Sequence, residues 1–211
     1  MCKLYHIMNE QSKLTLSAVE MQLVTNTEWI LTKRKIIATV NDILGNVSAA
    51  MQQKIMAEKQ WLHPTVTLAA PKIAKGENYL QLPYLLLDYP RCFTKEAVFA
   101  VRTMFWWGNF FSCTLHISGS YKVLYQQALV ANIAALQNND FYICINKNEW
   151  EHHFLPENYV AANTLTEEEI KSILLQQHFI KVAAKFPLHQ WNKMEVLLQK
   201  AFTDVLQLLK N

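Results

Sequence analysis

Arg102, Thr103, Ser112, Thr114 and His116 are the side chains best placed for chemistry, because they interrupt the most apolar run in the chain, Val98 to Gly119. Arginine presents a planar fork of donors that fits carboxylates and phosphates. A neutral-pH acid or base needs a pKa near 7, and histidine has one, so His116 is the single candidate for general acid–base work. The chain holds only three arginines, Arg34, Arg91 and Arg102. A charge inside an apolar strand must find a partner or reach water. Asp88 is the expected partner of Arg102, with Glu96 the other choice. The competing expectation is that Arg91 and Arg102 anchor an anionic or partly aromatic ligand, with Tyr84, Trp107, Thr103, Thr114 and His116 around it.

A second group, Glu149-Trp150-Glu151-His152-His153, has the Glu-x-x-His spacing of di-iron sites. Such a site needs a second matching pair, and neither His178 nor His189 has a glutamate three residues before it. No metal is expected, and the stretch reads as an exposed loop or helix end. The four cysteines, Cys2, Cys92, Cys113 and Cys144, share no close spacing. With four glycines in all, no phosphate-cradling loop is present, and none of the common hydrolase, kinase or dinucleotide motifs occurs. No cofactor is expected, and the sequence does not decide whether the chain is an enzyme.

Hydrophobic residues make up 51% of the 211 and charged residues 18%, a folded composition. A formal charge of +3, with Lys33-Arg34-Lys35 the one tight basic cluster, points to neither nucleic acid nor a membrane surface. The N-terminus lacks the apolar core of a signal peptide and no run reaches the roughly 20 apolar residues of a membrane span. A cytoplasmic protein is expected.

The elements that would position these residues form a single α+β domain over 1–211: helical over 15–59, β-rich over 79–146 and helical over 166–209. The expected sheet is antiparallel, with about four strands, and packs on the flanking helices. Ile30, Ile37, Leu44 and Met51 recur at seven-residue spacing. They follow a capping box at Thr25 and Glu28 and predict one long helix, with Gly45-Asn46 its place to bend. Residues 61–78 read as a connector, 79–88 as a strand and Tyr89-Pro90-Arg91 as a turn. Thr166 followed by Glu167, Glu168 and Glu169 predicts a helix start, with the helix ending at Pro187.

A two-residue turn at Gly108-Asn109 folds 98–118 into a hairpin. That register sets Arg102 opposite Leu115, on a face with Met104, Trp106 and Cys113. It sends Thr103, Ser112, Thr114 and His116 to the other face, the mixed lining of a ligand cleft. Two functions from different classes follow. One is binding of a small anionic or partly aromatic molecule beside the hairpin. The alternative is a protein–protein or homo-oligomer contact through the long N-terminal helix and the C-terminal helix, expected from about Trp191 to Leu209, without catalysis.

Overall fold

The computed structural model describes residues 14–210; Cys2 and the N-terminal reading of 1–13 lie outside them. The chain divides into two compact units, 1–40 and 41–211.

In the first unit, helix α1 (Ala18–Thr25) starts at a capping box in which Ser17 and Glu20 bond each other's backbone N–H. Helix α2 (Thr27–Glu58) begins in this unit and continues into the second. Its first turn is capped by Asn26, whose side chain accepts from Trp29 N at 2.9 Å. The expected Thr25–Glu28 box does not form, because the Thr25 hydroxyl turns back onto the Met21 carbonyl. Nor does α2 break at Gly45, which lies within its continuous span.

The second unit is built on a mixed helix-and-sheet plan around one antiparallel sheet of seven strands, not about four. The strands are β1 (Lys72–Tyr79), β2 (Leu82–Phe93), β3 (Val98–Trp106), β4 (Phe110–Ser118), β5 (Tyr142–Cys144), β6 (Tyr159–Ala161) and β7 (Phe179–Pro187), in the order β1-β2-β3-β4-β7-β5-β6. The helices after α2 are α3 (Pro64–Thr67), α4 (Gly119–Ala131), α5 (Ile133–Asn138), α6 (Glu167–Gln176) and α7 (Met194–Leu208). Three of these strands were not expected. β1 occupies the presumed connector. β6 is a short return strand against β5. β7 replaces the second half of a predicted helix: α6 stops at Gln176, and Phe179 to Phe186 is extended. The start of α6 is as expected, with Thr166 and Glu169 forming a capping box. Nor does β2 turn at Tyr89; it runs to Phe93, with a register shift between Asp88 and Arg91.

One face of the sheet carries Phe99, Val101, Phe105, Phe111, Leu115, Ile117 and Val182, all buried. The helices cover this face. α4 (Gly119–Ala131) brings Tyr121 and Tyr125 edge-on to Phe99, and Trp191 reaches Phe105 and Phe111. The C-terminal helix α7 (Met194–Leu208) buries Met194, Leu198, Ala201, Phe202 and Val205. Within the same unit the later turns of α2 bury Leu44, Val47, Met51 and Ile55, and Asn46 donates to Glu195 on α7. A Lys210–Glu58 ion pair of 2.8 Å ties the ends of these helices.

Candidate functional site

The register of the β3–β4 hairpin decides which polar side chains meet. The connection has three residues, Trp107-Gly108-Asn109, because Trp106 pairs with Phe110. Gly108 takes φ +70°, and the Trp107 N–H leaves the hairpin to donate to Pro83 O. Gly108 is the third residue of the turn Trp106–Asn109, closed by the Asn109 N–H donating to Trp106 O at 3.1 Å, a position where a positive φ favours glycine. Every pair is therefore one residue away from a two-residue register. Arg102 faces Thr114, Ala100 faces His116, Met104 faces Ser112, and Thr103 faces Cys113. A slip of one residue exchanges the faces of a strand, so Arg102 shares a face with Ser112, Thr114 and His116, and Thr103 is buried on the helix-covered face. The separation of Arg102 from that polar group predicted by a two-residue turn is thus overturned.

Asp88 enters this face from β2, directly across from Arg102. The guanidinium holds its carboxylate through two bonds, Nε to Oδ1 at 2.7 Å and Nη2 to Oδ2 at 2.8 Å. Glu96 takes no part in this pair. Lys181 enters from β7, across from His116.

The far side is closed by residues 146–158, which include Glu149 to His153, expected to be an exposed loop or helix end. Lys181 Nζ donates to the backbone carbonyls of Glu149 and Glu151. The Tyr79 hydroxyl accepts from the N–H groups of His152 and His153, at 2.7 and 3.0 Å, and donates to the Glu151 carboxylate at 3.1 Å. Buried Asn158 donates to His153 O, and its own carbonyl accepts from Ile145 N. This covering segment places Trp150 edge-on to His116 and His152 against Arg102.

Protonation states follow from these contacts. A guanidinium can only donate, so His152 Nε2, 2.8 Å from Arg102 Nη1, is the acceptor and the ring is neutral. Burial, then the charges of Lys181 and Arg102, hold its pKa well below the ordinary value. His116 Nε2 lies 2.7 Å from Glu149 Oε2. The glutamate favours an imidazolium, but burial and the same two cations outweigh it and push the pKa down to about 3. His116 therefore stays neutral and donates Nε2–H to Glu149. Such a ring is a weak base at neutral pH, and among the described residues no hydroxyl or thiol bonds to its other nitrogen. Burial also brings Lys181 down to about 8, helped by Arg102 and opposed by Cys144, Glu149 and Glu151.

These groups enclose a cavity of about 10 Å³, lined by Arg102, Thr114, His116, His152 and Lys181, with Phe93, Ala100 and Trp150 as its apolar wall. That is the room of a single water, and an aromatic ligand does not fit. No family model, curated protein or solved structure matches this chain.

Of the eight side chains expected at a ligand site, Arg102, Thr114 and His116 line the cavity and Asp88 anchors Arg102 behind it. Tyr84 shares the face but sits at its other end, among Tyr79 and Trp106. Arg91 is exposed beyond the β2 irregularity, near the Phe93 ring. Trp107 lies in the hairpin loop beside Phe105, and Thr103 faces the helices. Lys181, Glu149 and His152 are the members that sequence reasoning did not place here. The signal for Lys181 was present: Phe179-Ile-Lys-Val-Ala-Ala-Lys-Phe alternates with period two and sets Lys181 and Lys185 on one face. No group of three metal-ligating side chains occurs among the described residues.

Proposed function

We propose that this chain is a self-associating module whose contact surface is α1 with the first turns of α2. One observation carries the reading: α1 has no buried residue, although Leu16, Val19, Leu23 and Val24, and then Trp29 and Ile30 on α2, are large, apolar and exposed. A helix of eight residues is marginal in water without tertiary packing, and one that is apolar on several sides belongs inside something. Contiguous apolar surface of this kind marks an interaction site.

The occupant that fits is a second copy of the chain. Residues 14–35 carry Glu20 and Glu28 against Lys33, Arg34 and Lys35, a net charge of +1. Two copies of so nearly neutral a surface repel little, and an anionic surface would gain little hold on it. Ile30 also continues, at seven-residue spacing, the row of Ile37, Leu44 and Met51, whose last two members are buried. A partner helix would extend that same row. The C-terminal helix drops out of this surface, because the apolar face of α7 already serves the core. The free, buried thiols of Cys92, Cys113 and Cys144 agree with a reducing, cytoplasmic setting.

Sedimentation equilibrium of the full chain tests the reading. A dimer is expected, and Val19→Glu with Ile30→Glu should shift it to monomer with the melting temperature of the monomeric unit intact. A wild-type chain that stays monomeric to its solubility limit, or a double variant that dimerises as before, overturns it.

A further inference from the structure

We propose that the cavity between β3, β4, β7 and the covering segment is a site for one halide-sized anion, held by Lys181 with Arg102 and Thr114. The proposal does not depend on self-association. The cavity's polar lining consists of Arg102, Thr114, His116, His152 and Lys181, and no carboxylate faces it. Arg102 is neutralised by Asp88 from behind. His152 and His116 are uncharged, the first accepting from Arg102 and the second donating to Glu149.

Lys181 remains. Its side chain is buried, 1% exposed, and two of its three protons go to backbone carbonyls, which offer dipoles and no net charge. Among the described residues no carboxylate comes within ion-pair distance of its ammonium. The nearest acidic groups are occupied elsewhere: Glu149 with His116 and Glu151 with Tyr79 and Asn148. Both are about 30% exposed, so water screens them. A buried charge without a counter-charge is costly. The Tyr159 ring, 5.5 Å from Nζ, offers a quadrupole and no net charge; an anion in the adjoining cavity, which Lys181 and Thr114 both line, supplies the counter-charge. With its pKa at about 8, Lys181 is still mostly protonated at neutral pH. Size then selects the class: about 10 Å³ is the room of one water, so a halide that takes the place of that water is the class proposed, and phosphate, sulfate and carboxylates are excluded.

The test is bromide, read in two ways. Crystals of the full chain soaked in sodium bromide should show an anomalous peak in the cavity. In solution the melting temperature should rise saturably with chloride or bromide but not with gluconate at equal ionic strength. Thr114→Val removes one hydrogen bond to the ion and leaves the lysine clamp, so the midpoint halide concentration should rise about tenfold; Lys181→Met, if it folds, should abolish the response. A cavity that holds only water, a response equal in gluconate, or an unchanged midpoint in Thr114→Val overturns the proposal.

Discussion

Arg102 and Asp88 stand directly opposite each other on β3 and β2 and are joined by two hydrogen bonds, 2.7 and 2.8 Å long. Asp88 is the more deeply buried, its side chain 9% exposed against 21% for Arg102. Removing one member leaves the other without a counter-charge, which costs about 3–5 kcal/mol. Asp88→Asn should therefore lower the urea midpoint strongly. Asp88→Asn combined with Arg102→Met should cost less than the two single changes added together, since the orphaned charge is gone. Additive losses in that cycle would mean that the pair is not coupled.

The apolar faces, the antiparallel hairpin and the Asp88–Arg102 pair could all be inferred from residue type and spacing. The composition of the site could not, and the reason is the loop. Gly108-Asn109 favours a two-residue turn on local preference, but the Trp107 N–H finds a better acceptor in Pro83 O, on β2. That is a tertiary choice which local turn chemistry does not contain. The consequence is large because strand faces alternate: one extra loop residue brings Arg102 beside Thr114 and His116. Lys181 escaped for a related reason. Lys, Ala and Val are all acceptable in a helix, and the period-two pattern of β7 follows a strong helical start at Thr166. The 146–158 segment has no period at all, and only the hydrogen bonds of Lys181 and Tyr79 make it a cover.

Two glycines should respond in opposite directions to alanine. Gly45 lies inside α2, and a Cβ there meets nothing within 4 Å. Gly45→Ala should stabilise by about 1 kcal/mol through helix propensity. Gly119 begins α4 with φ +57°, and a Cβ would fall 2.0 Å from Glu96 O, a backbone atom that cannot swing aside. Gly119→Ala adds steric overlap to the cost of a left-handed conformation and should destabilise by more than about 2 kcal/mol. Thermal melts of the two variants decide both.

Buried thiols should be chemically silent. Cys113 is fully enclosed in β4, and burial pushes its pKa up to about 12. Cys144 is also raised, again by burial first. The thiolate is the reactive form, so a maleimide pulse on the native chain should leave both residues unmodified. The same pulse in urea should label them. Mass mapping of native protein that finds Cys113 modified at the unfolded rate would contradict its placement.

Acid and base should act on the buried cluster with the same sign of slope. His116 has a folded pKa of about 3 against an ordinary 6.5, and His152 is lowered too. As pH falls below 6.5 the unfolded chain takes up protons that the native chain refuses. Stability should therefore be full above that value and be lost progressively toward pH 3, by up to about 1.4 kcal/mol per pH unit for each histidine. Lys181 works at the other end. Its folded value of about 8 lies below an ordinary 10.5, so between those pH values the unfolded chain holds the extra proton and stability climbs with pH. Lys181→Met has no amine to titrate. The difference in unfolding free energy between wild type and Lys181→Met should hence be flat between pH 6.5 and 8 and change by up to the same slope above it, while the acid limb, set first by burial, persists in the variant but is shallower because the Lys181 charge no longer lowers the two histidines. A difference that is flat throughout the alkaline range would show that the Lys181 amine is not held in a buried, desolvated position.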